Sequence, residues 1–214
     1  MSTPRDLSGA AVRPRTSLAV QQGTGKVRII GGQWRRSLLP VATKPGLRPT
    51  PDRVRETLFN WLGQDLTGLS CIDAFAGSGA LGFEAASRHA AHVLLVEQDA
   101  KVAAQLQANA QRLRAQNLLV QRGDGLRALA QRPAAAAGGW DVAFIDPPYA
   151  SALETQALAA IRTTLAPHGQ VYLESSREWT APQLASLGWR RLRYLRAGSV
   201  HAHLLDLRDS VTGT

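Results

Sequence analysis

The chain has 214 residues, 44% of them hydrophobic, which suits one packed core with a small appendage. No apolar run approaches the roughly 18 residues of a membrane span, the first 25 residues lack the apolar stretch of a secretion signal, and a single cysteine, Cys71, excludes a disulfide framework or a cysteine-rich zinc site. The net charge of +9 is uneven: residues 1–70 carry 11 Lys/Arg against 4 Asp/Glu, residues 71–180 carry 9 against 10, and residues 181–214 carry 5 against 2. Basic flanks around a neutral middle suit a polyanionic partner, although 22 of the 25 basic residues are Arg, which also fits a general arginine bias.

In chain order, residues 1–25 are polar, interrupted by Pro4, Pro14, Gly23 and Gly25, and read as a disordered arm. Val27–Ile30, Gly31-Gly32 and Gln33–Leu39 predict a β-hairpin with a glycine turn, carrying Lys26, Arg28, Arg35 and Arg36 around Trp34. Residues 40–49, with three prolines, predict an extended loop. Thr50-Pro51-Asp52 then predicts a helix start, with Thr50 as N-cap and Pro51 in the first helical position. From residue 69, short apolar runs (Leu69–Phe75, His92–Val96, Leu118–Gln121, Val142–Ile145, Val171–Leu173) alternate with helical stretches near 80–89, 99–114, 125–131 and 151–165. That alternation predicts a doubly wound, mostly parallel α/β sheet. Trp189–Leu195, a turn at Ala197-Gly198-Ser199 and Val200–Leu207 predict a closing antiparallel hairpin. The expected organisation is a disordered arm (1–25), a basic hairpin-and-helix extension (26–65) and a catalytic domain (66–210).

Two motifs carry chemistry. Asp73-Ala74-Phe75-Ala76-Gly77-Ser78-Gly79 runs from a strand into a glycine turn that opens a helix. Gly77 and Gly79 let the backbone approach a ligand, and Glu97, ending the next strand, is placed to grip ribose hydroxyls. Asp124 follows the third strand, where it can meet an adenine amino group or simply serve as a turn residue. Gly77-x-Gly79-x-x-Gly82 also satisfies the dinucleotide fingerprint, so an NAD-dependent oxidoreductase enters as a reading. Asp73 weighs against it: a carboxylate there repels a pyrophosphate and suits the cationic amino acid end of S-adenosylmethionine. The fourth strand ends in Asp146-Pro147-Pro148-Tyr149. The prolines stiffen the backbone and remove two N–H donors. The Asp146 carboxylate and the Pro147 carbonyl can then both accept hydrogen bonds from an aromatic amine and localise its lone pair, with Tyr149 stacking on the base.

On these motifs, and on Val27-Arg28-Ile29-Ile30-Gly31-Gly32 and the block Arg48-Pro49-Thr50-Pro51-Asp52-Arg53-Val54-Arg55, the chain resembles bacterial methyltransferases that modify guanine N2 in 16S ribosomal RNA. The resemblance runs from about Val27 to Asp206. It implies a seven-stranded Rossmann-like sheet, S-adenosylmethionine as methyl donor, and the small ribosomal subunit as substrate. Asp146, Pro147 and Tyr149 are the expected catalytic residues. Asp73, Phe75, Gly77, Gly79, Glu97 and Asp124 are expected at the donor, and Lys26, Arg28, Trp34, Arg35, Arg36, Arg48, Arg53 and Arg55 at RNA, folded over the cleft. A cytoplasmic monomer without metal is expected. Two further readings remain: a DNA adenine-N6 or cytosine-N4 methyltransferase, which about 65 residues after the motif leave little room to build, and a non-catalytic RNA-binding protein on the same fold.

Overall fold

The computed structural model describes residues 25–44, 50–148 and 153–207. Tyr149, Arg48 and all of the expected arm except Gly25 lie outside them. Two short strands, β1 (Lys26–Arg28) and β2 (Leu38–Pro40), pair antiparallel, Val27 opposite Leu39. Helix α1 (Asp52–Trp61) follows. Then come β3 (Ser70–Asp73), α2 (Ala80–Ser87), β4 (His92–Glu97), α3 (Ala100–Leu113), β5 (Leu118–Arg122), α4 (Gly125–Leu129), β6 (Trp140–Ile145), α5 (Leu153–Ile161), β7 (Leu165–Ser175), α6 (Ala181–Ser186), β8 (Trp189–Ala197) and β9 (Val200–Leu207). Strands β3–β9 form one sheet in the order β5-β4-β3-β6-β7-β9-β8, parallel except that β9 runs against both its neighbours. Among the described residues no helix is long and apolar enough to cross a membrane.

The two-residue period of the strands divides the core into two layers. Cys71, Val142, Phe144 and Tyr172 face α1, α2 and α3; Ile72, Ala143, Ile145, Val171 and Leu173 face α4, α5 and α6. Both faces are buried, which is why the central strands read as continuous apolar runs rather than alternating ones.

The structure departs from the sequence expectations in four places. First, α1 begins at Asp52, with Pro51 at the N-cap and no side-chain cap. Thr50 is buried instead, and its carbonyl accepts the Arg55 Nε–H at 3.3 Å. Second, Gly31-Gly32 is not a two-residue turn. The ladder ends where Ile29 N–H meets the Ser37 carbonyl, and residues 30–35 form a loop docked on the end of α2. There Gln33 N–H donates to the Ser87 carbonyl (2.8 Å) and Trp34 N–H to Ser87 Oγ (2.9 Å). Gly32 has φ +72°, and a Cβ on it would collide with the Ser87 carbonyl, so only glycine lets this loop sit down. Third, the helix expected over 151–165 stops at Ile161, and β7 starts at Leu165, earlier than the 171–173 run suggests. Fourth, α6 was not anticipated, although Thr180-x-x-Gln183 forms a capping box.

One buried side chain gathers several of the contacts that fasten the extension to the sheet. Glu84, fully buried in α2, accepts Ile30 N–H and Gly31 N–H (both 2.8 Å), Arg55 Nη1–H (3.3 Å) and Arg88 Nε–H (2.9 Å). Arg55 also reaches Asp52 at 2.6 Å. Removing one member of a buried ion cluster leaves uncompensated charge behind. Glu84→Ala is therefore expected to destabilise the fold by about 3–5 kcal/mol, measured as a shift in the urea unfolding free energy. A loss below about 1 kcal/mol, the range of an exposed pair, would contradict this role.

Candidate active site

In an open α/β sheet the ligand crevice lies at the carboxyl ends of the strands, where the strand order reverses. Here that point is between β3 and β6. Asp73 ends β3, Glu97 ends β4, Asp124 follows β5, Asp146 follows β6 and Glu174 lies near the end of β7, so five carboxylates share this edge of the sheet.

Asp73 is buried. Its Oδ2 accepts Gly82 N–H at 2.9 Å, and the Phe75 amide also donates to the carboxylate. Burial, reinforced by the charge of Glu97, outweighs these amides and pushes its pKa up to about 7. Phe75 is half-buried against the α4–α6 layer. The following loop closes with Gly79 N–H on the Ala76 carbonyl (2.6 Å), and Gly77 N–H donates to Glu97 Oε2 at 3.0 Å. Gly79 has φ +77°, and a Cβ there would strike Phe83 and Leu106, so the turn needs glycine. Glu97 Oε1 accepts Asp99 N–H at 2.8 Å. Glu97 is thus fixed by two amides, and its remaining lone pairs can still accept. Asp124 is exposed, and its Oδ1 caps α4 by accepting Leu126 N–H (2.7 Å) and Arg127 N–H (3.2 Å). The turn role weighed for it in the sequence accounts for that oxygen.

Asp146 lies two residues beyond Phe144, the register partner of Asp73 on the neighbouring strand. Burial, then the charges of Glu174 and Asp73, raise its carboxyl well above the usual range. Pro147 is buried behind it and Pro148 is exposed.

The expected RNA-facing residues separate into three groups. Arg55 is withdrawn: it is 1% exposed and engaged with Glu84, Asp52 and Thr50. Arg35, Arg36 and Trp34 belong to the loop docked at the far end of α2. Eight residues of helix, about 12 Å, separate that end from the glycine loop, so this part of the hairpin does not fold over the cleft. Trp34 is half-buried and packs on the core. The open end of the hairpin lies at the crevice: Val27 and Val41 pack with Ala80, the first residue of α2. Lys26 and Arg28 are exposed on β1, and Arg53 is exposed in the first turn of α1. Lys44, which sequence reasoning passed over, pairs with Asp99 at 3.3 Å beside Glu97. Glu84 and Glu174 were also passed over. Their signal was a single acid inside an apolar run, Ala80–Ser87 and Val171–Leu173 with its continuation.

Known proteins match the chain closely. The family model described as "Conserved hypothetical protein 95" matches residues 27–206. Ribosomal RNA small subunit methyltransferase D of Escherichia coli K12 is 44% identical over 190 residues, covering 88% of this chain and 93% of that protein. The protein of the same name from Haemophilus influenzae is 40% identical, covering 84% and 93%. A solved structure from Escherichia coli superimposes with a TM-score of 0.73 at 42% identity, covering 86% of this chain and 98% of that one.

The raised Asp73 carboxyl has a consequence for stability. An acid whose folded pKa lies above its unfolded value of about 3.9 costs nothing below that value. Its cost grows as pH rises to about 7 and is then constant. Asp73→Asn, which can still accept the Gly82 amide, is expected to stabilise the ligand-free protein at pH 8 by up to about 4 kcal/mol and to change little at pH 4. Thermal melts at the two pH values check this. Equal shifts at both would refute it.

Proposed function

The chain belongs to the conserved hypothetical protein 95 family, and from that premise we propose that it transfers a methyl group from S-adenosylmethionine to the exocyclic N2 of a guanine in small-subunit ribosomal RNA. In this reading it acts as a cytoplasmic monomer on the assembling subunit. The observation that carries the proposal is Asp146-Pro147 at the switch point of the sheet, facing a crevice built around the buried Asp73. The names of the relatives supply the RNA; the family resemblance of the Arg48–Arg55 block supplies the guanine.

The residues fit the donor. A buried carboxyl pushed up to about 7 is a site that a cation relieves and an anion worsens. Asp73 therefore suits the ammonium end of the donor and disfavours a pyrophosphate. Gly77 and Gly79 leave the loop bare of side chains where a ligand must approach, and Glu97, locked by two amides, is preorganised for a ribose diol. The bound donor supplies an electrophilic methyl group on sulfur.

The remaining chemistry is the chain's own. Asp146 and the Pro147 carbonyl accept the two hydrogens of the amine and turn its lone pair toward the methyl. The N–C bond forms as the S–C bond breaks. The Asp146 carboxylate, with its raised proton affinity, is positioned to take the proton the nitrogen then sheds. Removing one such preorganised partner costs on the order of 3–4 kcal/mol of barrier. Asp146→Ala should thus lower kcat about 100–1,000-fold with donor affinity kept, in a methyl-transfer assay on small subunits analysed by nucleoside mass spectrometry. Asp146 must be ionised to accept, so wild-type kcat should fall as pH drops through its raised pKa. A near wild-type rate for the alanine variant refutes the reading.

The RNA is held, in this proposal, by the basic groups near the crevice. Lys26, Lys44 and Arg53 changed together to Gln should weaken subunit binding and flatten its salt dependence by about 2–3 log units per tenfold salt. Changing Arg35 and Arg36 to Gln should leave the slope nearly unaltered. The reverse pattern would move the RNA to the other end of the hairpin.

A further inference from the structure

Asp146 and the Pro147 carbonyl account for an exocyclic amine, but three bases carry one. Adenine, cytosine and guanine differ at the ring nitrogen beside it. Adenine N1 and cytosine N3 present a lone pair; guanine N1 carries a hydrogen. A second acceptor next to the amine site therefore matches guanine alone of the three and opposes a lone pair to the other two. The crevice contains such a group.

Strands β6 and β7 pair parallel, with Ile145 opposite Leu173. Asp146 and Glu174 are the next residue on each chain after that last pair. Glu174 is 3% exposed, and its charge reaches Asp146. Its Oε2 accepts the Tyr172 hydroxyl at 2.9 Å. Tyr172 is fully buried, its ring edge-on to Phe144 at 6.5 Å, and Phe144 packs on Phe59 of α1 at 6.0 Å. The carboxylate is thus held by a stiff aromatic wall rather than left to rotate.

We propose that Glu174, oriented by Tyr172, accepts a hydrogen bond from the N1–H of the target base and so selects guanine over adenine and cytosine. This rests on the amino-methyltransferase reading of Asp146-Pro147 and gives that site its base specificity. A polar site built to accept a hydrogen bond rejects an analogue lacking it strongly, because the carboxylate then faces a lone pair instead of a hydrogen.

The test compares guanine with 2-aminopurine at the target position, mapped beforehand from the wild-type product by mass spectrometry. 2-Aminopurine keeps the 2-amino group but presents a lone pair at N1. The wild-type enzyme should favour guanine in kcat/KM by about 100-fold or more. In Glu174→Gln the amide can donate to that lone pair, so the preference should fall at least tenfold, with donor affinity unchanged as the check on folding. Tyr172→Phe, which keeps the carboxylate and removes its orienting hydroxyl, should lower the preference by a smaller factor. If Glu174→Gln binds the donor normally and keeps the full preference, Glu174 does not read the base, while the N2 assignment stands. If Glu174→Gln fails to fold, an undiminished preference in Tyr172→Phe overturns the inference. A wild-type product other than N2-methylguanine removes the underlying function and this inference with it.

Discussion

The buried carboxylate of Glu84 is the interaction on which the relation between the extension and the sheet depends. It sits in the second turn of α2, the helix opened by Gly79, and takes hydrogen bonds from Ile30, Gly31, Arg55 and Arg88. Those donors belong to three different pieces of chain: the hairpin loop, α1 and α2 itself. A buried ion cluster stabilises little compared with apolar packing of the same volume, but it tolerates only one arrangement. Its effect here is to fix position. The hairpin cannot slide along α2 without losing its two amide hydrogen bonds to Glu84, and α1 cannot rotate without stranding the Arg55 guanidinium in the core.

That fixation bears on the crevice because α2 is shared. Its first residue, Ala80, packs with Val27 and Val41, while its amino end carries the glycine loop and the Asp73–Gly82 hydrogen bond. The hairpin therefore buttresses the helix that shapes the proposed donor site. On the other side of the crevice, α1 supports the proposed base site through Phe59, Phe144 and Tyr172. The extension is thus a brace for both halves of the crevice, and among the described residues its open end and the start of α1 bring basic side chains near it.

Much of this was legible in the sequence because it rests on local signals. The β/α alternation came from apolar periodicity. The glycine loop followed from Gly77 and Gly79 between a strand and a helix, and Asp146-Pro147-Pro148 stood out because no ordinary strand end needs that order. What escaped rests on long-range partners. Arg55 reads as an RNA-facing residue until Glu84, 29 positions away, is placed beside it. Arg35 and Arg36 read as part of a clamp until Ser87 is seen holding their loop at the far end of α2. Glu174 is a single acid in an apolar strand, and only the pairing of β6 with β7, ending at Ile145 and Leu173, brings its charge to Asp146. Charge counting drew attention to a basic segment but could not separate a buried tie such as Arg55 from exposed side chains such as Arg28 and Arg53.

The crowding of acids in the crevice follows from the chemistry proposed for it. Asp73, Glu97, Asp146 and Glu174 repel one another, and burial raises the proton affinity of Asp73 and Asp146. A structure selected for stability alone would replace some of them with apolar groups. In the proposed function a cation joins the amide at Asp73, hydroxyl donors join the two amides at Glu97, and amine and ring N–H donors approach Asp146 and Glu174 beside the Tyr172 hydroxyl. The sulfonium donor and the guanine edge are both rich in positive charge or hydrogen-bond donors and poor in acceptors where they would meet these residues. The same repulsion disfavours anions and lone-pair edges. In the proposed function, binding energy and base selection arise from one source, the negative charge of the carboxylates, and the sheet register is what keeps that charge in place.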